Sequence, residues 1–246
     1  MLEIRNLCIR AGKRTLLSGL NLGLQDNRIT AVIGPSGCGK TSILRWLAGI
    51  APPSMHSDGE LLLDGDAIAT PHPALCYQPQ NDALFPWLTI IQNASLGLEI
   101  SGKSRREAKT LVAPLFQSFG LQGCENMFPS QLSGGMRQRA AFLRTVVQDG
   151  RFILLDEPFS ALDAVTRLRM QKWLLARLQD RPRGVLLITH DLNEAAYMAD
   201  RIIVMSSSPG RIIADLPVDH MRGQRGETAL APMRDKLKSL LLEETP

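Results

Sequence analysis

The sequence predicts an α/β fold built on a parallel sheet, and three observations support this. Strand-like and helix-like segments alternate along much of the chain, as they do in strand–helix–strand units. Short apolar, β-branched runs such as residues 29–33 and 152–155 have the composition of strands buried on both faces. A glycine-rich stretch at residues 34–41 joins the first of these runs to a helical segment. The chain of 246 residues is long enough to bury a sizeable core.

The N-terminal part predicts a small antiparallel sheet beside the parallel one. Short apolar runs occur at residues 2–4, 7–9, 20–24 and 60–63. The last of these leads into Asp64-Gly65, a strong hairpin signal. Residues 75–77 predict a further strand that ends at a polar loop with Gln78 and Gln80.

The rest of the chain is predicted as a helical block followed by more of the α/β pattern. Residues 85–147 are mainly helical, and a helix over 104–118 must kink or end at Pro114. Strands are predicted at 152–155, 185–189, 202–205 and 211–214, and helices at 138–147, 165–179, 192–199 and 233–243. Pro217, Gly223 and Gly226 predict a loop over 217–230.

The composition argues against several classes of protein. No apolar run reaches the roughly 18 residues of a membrane span, and no signal peptide is expected at the N-terminus. The basic residues behind the formal charge of +4 are scattered, which does not indicate nucleic-acid binding. Four widely separated cysteines argue against a zinc site or a disulfide framework and fit a reducing cytosol. If the protein acts at a membrane, another chain must cross it.

The glycine-rich stretch has the spacing G-x-x-x-x-G-K-T. It comprises Gly34, Pro35, Ser36, Gly37, Cys38, Gly39, Lys40 and Thr41, with Ser42 next in the chain. Between a strand and a helix, such a loop directs backbone N–H groups and the positive end of the helix dipole at phosphate oxygens. Lys40 would reach the β- and γ-phosphates, and the Thr41 hydroxyl would bind Mg²⁺. A chance glycine-rich turn explains this pattern poorly, so we predict a nucleotide-binding site.

Two further stretches support that prediction. The apolar run 152–155 ends in Asp156 and Glu157, which a parallel strand would deliver to the edge that carries the phosphate loop. Asp156 would hold the magnesium shell, and Glu157 could polarise the water that attacks the γ-phosphate. The second stretch consists of Leu132, Ser133, Gly134 and Gly135, with Gln138 three residues later. On its own, Ser133 is explained as a helix cap.

Together with the loop and the acids, L-S-G-G-x-x-Q resembles the signature of ATP-binding-cassette (ABC) ATPases. The resemblance extends over about residues 1–215. It implies a P-loop NTPase (RecA-like) core with an N-terminal antiparallel β subdomain and a helical signature subdomain. The whole chain would be one ABC ATPase domain. Its core would take residues 1–84 and 148–215, its helical subdomain 85–147, and its tail and last helix 216–246.

The resemblance also assigns roles to other residues. Gln80, which precedes an L-F-P-W run and is preferred to Gln78, matches the glutamine loop that senses Mg²⁺ and meets a membrane partner. Asp163 matches the loop that couples the two sites of a dimer. His190 matches the switch histidine, although a lone histidine after an apolar strand is usually structural. Mg²⁺ would be held by Thr41, Gln80 and Asp156.

The mechanism implied by the resemblance needs two copies of the chain and two ATP molecules. Lys40 and Thr41 of one chain would grip the γ-phosphate that the signature residues of the other chain also contact. The signature residues are Leu132, Ser133, Gly134, Gly135 and Gln138. Glu157 would activate water, and His190 would contact the γ-phosphate. Closure of this homodimer would pull on integral membrane permease subunits.

One position departs from the family pattern. Family members usually carry an aromatic residue that stacks on adenine just before the first glycine of the N-terminal sheet, and here that place is taken by Ala11. Arg10 or Arg14 could stack instead through a guanidinium plane. We therefore expect a modest affinity for ATP and weak discrimination between ATP and GTP.

Less specific similarities indicate a subgroup within the ABC family. Residues 84–89, 156–163 and 208–213 look like those of importers of the nitrate/sulfonate/taurine group, which also includes transporters of pyrimidine precursors. The chain would then be peripheral, on the cytoplasmic face of the inner membrane, with permease subunits and a solute-binding protein as partners. Nothing in the chain names the solute.

Four alternative functions compete with import. An exporter or lipoprotein-release ATPase remains open, since the partner sets the direction of transport. A small P-loop kinase leaves the signature unexplained, and a DNA-repair or translation ATPase would need a coiled-coil insertion or a second cassette. A non-hydrolysing interaction module conflicts with the intact Lys40, Asp156, Glu157 and His190.

Overall fold

The computed structural model describes residues 1–219, 222 and 226–243, and these residues form two β-sheets with helices packed around them. The four-stranded sheet has the order β2-β1-β4-β5, with β1 (Leu2–Ala11), β2 (Arg14–Leu24), β4 (Met55–Leu63) and β5 (Asp66–Ala67). The six-stranded sheet has the order β10-β9-β3-β8-β7-β6. Its strands are β3 (Ile29–Ile33), β6 (Leu75–Gln78), β7 (Phe152–Asp156), β8 (Gly184–Ile188), β9 (Arg201–Met205) and β10 (Ile212–Pro217). The first sheet is antiparallel, whereas the second is parallel except for β10.

The helices divide into a block between β6 and β7 and a set that alternates with strands. The block contains α2 (Ile90–Ile100), α3 (Arg105–Val112), α4 (Leu115–Ser118) and α5 (Gly134–Val146). The other helices are α1 (Lys40–Leu47), α6 (Ala164–Asp180), α7 (Leu192–Met198) and α8 (Glu227–Glu243). This arrangement confirms the predicted α/β class. None of the described helices has the length and hydropathy that a bilayer crossing requires.

Strands of the parallel sheet face two different cores. Ile153 and Leu155 of β7 pack in one core with residues of α2, α5 and α6, such as Phe142. Leu154, between them, points to the other core, which contains Leu44 of α1 and the inner face of the antiparallel sheet. Full burial on both faces explains why these strands are uninterrupted apolar runs. Each fully buried leucine contributes about 1.5–3 kcal/mol to folding.

The N-terminal strands are longer than the sequence predicts. β1 continues across the exposed Arg5 and Asn6 instead of ending at Ile4. Ile4 pairs with Leu22 and Leu7 with Leu20, so the strand carries an extra residue at this point. Such a bulge keeps both apolar side chains on the buried face.

Helix boundaries differ from prediction at α5 and α8. The helix α5 begins at Gly134 rather than at 138, because Ser133 caps it by accepting a hydrogen bond from Met136 N at 3.3 Å. The predicted loop over 217–230 is too long, since β10 ends at Pro217 and α8 begins at Glu227. The helix α8 passes through Pro232, where one backbone hydrogen bond is lost. Gly223, part of that loop prediction, lies outside the described residues.

Candidate nucleotide-binding site

The phosphate loop, Asp156, Gln80 and His190 meet at one edge of the parallel sheet. The glycine-rich loop follows β3, Asp156 ends β7, His190 lies two residues beyond β8, and Gln80 lies two residues beyond β6. Because β3, β8, β7 and β6 are neighbours and run in the same direction, their carboxyl ends lie side by side. Ligands of open parallel sheets bind in the crevice at this edge.

The loop after β3 is compact and depends on Gly39. Gly39 precedes α1 with φ +99°, and a Cβ there would lie 2.8 Å from Leu17 Cδ2 of β2. Lys40 is only 9% exposed, and its Nζ donates hydrogen bonds to the carbonyl oxygens of Gly34 (2.7 Å) and Pro35 (2.8 Å). The ammonium group is therefore held over the loop, close to the first turn of α1.

A cleft of about 390 Å³ lies over this loop. Loop residues form one wall, and Gln80, Glu157, Arg14 and Leu16 complete the lining. The cleft thus combines a glycine-rich loop, a lysine, an amide and a carboxylate. This is the chemistry that binds a phosphorylated ligand and acts on it.

Asp156 and Thr41 form a pair with unused capacity to bind a cation. Thr41 Oγ1 donates a hydrogen bond to Asp156 Oδ1 at 3.2 Å, while Asp156 Oδ2 is buried and lacks a hydrogen-bond partner among the described residues. Burial raises the pKa of Asp156, and it raises the pKa of the neighbouring Tyr77 to about 12. A divalent cation at this carboxylate would compensate for its burial.

The described residues contain no group of three or more His, Cys, Asp or Glu side chains arranged to hold a metal. One carboxylate and one hydroxyl are nevertheless the protein ligands expected for Mg²⁺, which takes its remaining ligands from water and substrate phosphates. Asp156 and Thr41 therefore fit a magnesium site that is completed by a bound nucleotide.

Gln80, Glu157 and His190 converge on one carboxylate oxygen. Gln80 Nε2 donates to Glu157 Oε2 at 3.0 Å, and His190 Nδ1 lies 3.2 Å from the same oxygen. Gln78, by contrast, is fully buried and accepts a hydrogen bond from Thr145 Oγ1 at 2.7 Å. Gln80 is thus the glutamine at the site. Glu157 has φ +47°, an unfavourable backbone conformation for a residue with a side chain.

An ion pair absent from the sequence predictions joins the start of α6 to Asp191, directly after His190. Asp163 caps α6 by accepting from Thr166 N at 3.0 Å, and these backbone hydrogen bonds lower the pKa of Asp163. Arg167 Nη1 then reaches Asp191 Oδ2 at 3.0 Å. The sequence features that could have indicated this ion pair are an arginine one turn into α6 and an acid directly after His190.

The signature residues fall into two groups, one buried within this chain and one at its surface. Leu132 is buried in the core, and Gln138 is 4% exposed, with Nε2 donating to the carbonyl oxygens of Pro158 (3.3 Å) and Gln80 (3.4 Å). Ser133, Gly134 and Gly135 lie at the exposed or half-buried start of α5. None of the residues 132–138 is among the described residues that line the cleft over the phosphate loop.

Comparisons with known proteins agree with this geometry. A family model described as ABC transporter matches residues 17–160. The formylaminopyrimidine import ATP-binding protein ThiZ of Halalkalibacterium halodurans is 37% identical over 94% of this chain and 91% of its own length. The taurine import ATP-binding protein TauB of Escherichia coli K12 is 38% identical over 90% of this chain and 86% of its own length.

Solved structures support the same fold. The dimeric structure of the bacterial ABC transporter cassette MJ0796 has a TM-score of 0.79 at 24% identity, covering 90% of this chain and all of the other. Its post-hydrolysis dimer bound to ADP and Pi has a TM-score of 0.78 with the same identity and coverage. The family model spans more than half of the chain and the curated relatives nearly all of it. The chain is therefore a member of the ABC transporter family and is one of its ATP-binding ATPase cassettes.

Proposed function

We propose that this chain is the ATP-hydrolysing subunit of an importer and that it powers uptake by ATP-driven closure of a dimer. The observation that carries the proposal is the convergence of Gln80, Glu157 and His190 beside the phosphate loop. A loop that only bound nucleotide would not need a carboxylate, an amide and an imidazole together at its open side. These are groups that position water and move a proton.

The phosphate loop would hold the nucleotide. The loop is Gly34, Pro35, Ser36, Gly37, Cys38, Gly39, Lys40 and Thr41, followed by Ser42. Its backbone amides would bind the phosphates, and Lys40 would exchange its bonds to loop carbonyls for the β- and γ-phosphates. Glu157 would orient and deprotonate the attacking water, while His190 would contact the γ-phosphate.

Mg²⁺ would be held by Thr41 and Asp156, with Gln80 at its edge. The unpartnered Asp156 Oδ2 supports this assignment. Bound there, Mg²⁺ would supply positive charge that offsets the negative charge developing on the phosphate oxygens during hydrolysis.

A second copy of the chain would complete the site. Ser133, Gly134 and Gly135, at the start of α5, would donate to the γ-phosphate held by the partner's loop, as a helix N-terminus does to an anion. The internal bonds of Gln138 and the burial of Leu132 support a different role for these two, which is to hold that helix start in place. Asp163 would couple the two sites across the dimer.

We propose a domain organisation in which nucleotide binding and the signature belong to different parts of the chain. Residues 1–84 and 148–215 would form the nucleotide-binding core with its antiparallel subdomain. Residues 85–147 would form the helical subdomain that presents the signature, and residues 216–246 the C-terminal tail and helix.

The names of two relatives support import. Both are import ATP-binding proteins, one for formylaminopyrimidine and one for taurine. We propose that the solute of this system is of the nitrate/sulfonate/taurine or pyrimidine-precursor type. The chain would be peripheral, on the cytoplasmic face, with permease subunits and a solute-binding protein as partners.

Phe85 and the 69%-exposed Trp87, with ring centroids 5.4 Å apart, form an aromatic pair near Gln80 that suits a permease contact.

Affinity purification from mildly solubilised membranes tests the transport assignment. The tagged chain is expected to bring down a multi-spanning protein and to hydrolyse ATP faster in that complex. Trp87→Ser should reduce recovery of the permease, whereas Leu242→Ser, an exposed apolar position on α8, should not. A solute-binding protein in the complex would establish import.

Recovery of an active ATPase without any membrane protein would contradict the transport assignment and favour an interaction module. A permease found without any associated solute-binding protein would favour the exporter alternative. Lys40→Ala should abolish both nucleotide binding and turnover, and ATP hydrolysis by that variant would contradict the site itself.

A further inference from the structure

One end of the cleft consists of residues that the proposed phosphate chemistry does not use. Arg14 and Leu16, at the start of β2, line the cleft together with the phosphate loop, Gln80 and Glu157. They come from the antiparallel sheet, whereas the phosphate-handling groups come from the parallel sheet. A planar guanidinium beside an apolar side chain is a surface that suits the flat face of a purine ring.

Arg14 is directed over the loop by neighbouring groups. Its Nε donates a hydrogen bond to Ser208 Oγ at 3.4 Å, and Ser208 Oγ donates to the Thr15 carbonyl oxygen at 3.3 Å. A Cβ added at Gly37 would lie 3.6 Å from Arg14 Nη2, so the guanidinium sits against the phosphate loop. Arg10, the other arginine near this turn, is exposed on β1 and is not among the described residues that line the cleft.

The turn that carries Ser208 is fixed between β2 and the loop. Gly210 N donates to the Leu16 carbonyl oxygen at 2.8 Å, and Ser18 N lies 3.4 Å from the Gly210 carbonyl oxygen. A Cβ at Gly210 would overlap the Cys38 carbonyl oxygen, so only glycine fits between the two segments. The Ser208-Pro209-Gly210 stretch, which so far has no function, thereby connects the loop, β2 and Arg14.

We propose that Arg14, positioned by Ser208 and Gly210, stacks on the purine ring of the bound nucleotide. This inference rests on the proposed function, because it assumes that a nucleoside triphosphate occupies the loop. Stacking uses the face of the ring and not its edge, and every base offers such a face. The site therefore binds adenine and guanine nucleotides with similar affinity.

The test compares three probes on the full chain: ATP, GTP and inorganic tripolyphosphate, which has phosphates but no base. Dissociation constants are measured by calorimetry in EDTA, where turnover is prevented, and at moderate salt to limit long-range charge effects. The variants are Arg14→Ala, Arg14→Lys, which keeps the charge and loses the plane, and Arg14→Tyr, which restores a stacking ring. Arg10→Ala is the matched control that removes the same charge from the neighbouring strand.

Arg14→Ala and Arg14→Lys are expected to weaken ATP and GTP binding by about fivefold, the lower end of the contribution of base stacking. Tripolyphosphate binding should change by less than about twofold in Arg14→Lys, and Arg14→Tyr should restore ATP binding. Ser208→Ala should weaken ATP binding in the same direction, because it releases the guanidinium.

Two results would overturn the inference. Unchanged ATP affinity in Arg14→Ala would exclude a base contact. A loss shared by tripolyphosphate and rescued by Arg14→Lys would make Arg14 a phosphate ligand. Failure of the proposed function gives a different pattern, in which the wild-type chain binds none of the three probes or Lys40→Ala binds them as well as wild type.

Discussion

At the scale of single residues, Glu157 is held in a strained conformation that positions its carboxylate. A left-handed backbone at a residue other than glycine costs about 1–3 kcal/mol, and Glu157 has φ +47°. The surrounding structure maintains it, since Glu157 N donates to the Ile188 carbonyl oxygen at 2.9 Å. The conformation directs the side chain towards Gln80 and His190. We infer that this strain is retained for catalysis.

Glu157→Gln is expected to lower ATP turnover by at least about 100-fold, the usual contribution of a general base. Nucleotide affinity should persist, because the amide oxygen can still accept the hydrogen bond from Gln80. Phosphate release and calorimetry on the same preparation measure the two effects. Glu60→Gln, at an exposed position on β4, serves as the control. Turnover near the wild-type rate would refute the role of Glu157.

Glu194 gives a pH-dependent prediction for stability. It is 5% exposed and accepts from Gln171 Nε2 at 3.1 Å, and burial raises its pKa despite hydrogen bonds that act in the opposite direction. Ionisation is therefore harder in the folded protein than in the unfolded chain. The buried charge lowers the free energy of unfolding progressively as pH rises from the ordinary glutamate range through the raised pKa.

Glu194→Gln removes that charge and should stabilise the protein relative to wild type by about 1 kcal/mol at pH 8 and by less at pH 5. Urea denaturation of both proteins at the two pH values measures the difference. Asp191 and Arg167 act on the same carboxyl group and are unchanged in the comparison. An advantage for the variant that is larger at pH 5 would show that the assigned direction is wrong.

At the scale of elements, α5 connects the signature to the glutamine loop. Gln138 bonds the carbonyl oxygen of Gln80. Arg144 donates to the carbonyl oxygens of Ala83 (2.7 Å) and Asp82 (2.9 Å). A displacement of this helix would therefore move the loop that carries Gln80. We infer that α5 couples the position of its own start to that of the loop carrying Gln80.

Arg144→Ala should reduce the free energy of unfolding by about 1–2 kcal/mol, because two carbonyl groups lose a charged donor. It should lower turnover more than ATP affinity, since Gln80 is then less firmly held near Glu157. Denaturation, calorimetry and phosphate release measure the three quantities. Lys172→Ala, at an exposed position in α6, is the control. Loss of ATP binding with unchanged stability would contradict this role of α5.

The elements differ in how well sequence predicts them, for physical reasons. Strands β7 and β8 are predicted to within a residue because burial on both faces leaves an uninterrupted apolar run. The start of α5 is missed because two glycines disfavour helix when considered alone, and the Ser133 cap outweighs them.

In the candidate site, the sequence predicts the motifs but not the contacts between distant segments. Loop, acid and histidine motifs are contiguous in the sequence, so their convergence follows from strand order. Contacts between distant segments carry no local pattern. Arg167 and Asp191 are 24 residues apart in the chain, and Arg14 and Ser208 are 194 residues apart.

At the scale of the whole molecule, the cleft over the phosphate loop and the start of α5 are separate surfaces of one chain. The phosphate loop and Glu157 line the cleft, and the described lining residues do not include Ser133. Ser133 instead caps α5 and faces outwards. If both groups contact one γ-phosphate, the second must come from another copy. We therefore expect ATP to join two chains.

The most direct test is the mass in solution of the Glu157→Gln protein, measured by light scattering with and without ATP and Mg²⁺. We expect the mass of one chain without nucleotide and of two chains with ATP. Adding Ser133→Arg should return the mass to one chain, whereas adding Ser104→Arg, which removes a comparable cap from α3, should not. A mass of one chain in saturating ATP, with wild-type protein hydrolysing ATP under the same conditions, would contradict the composite site.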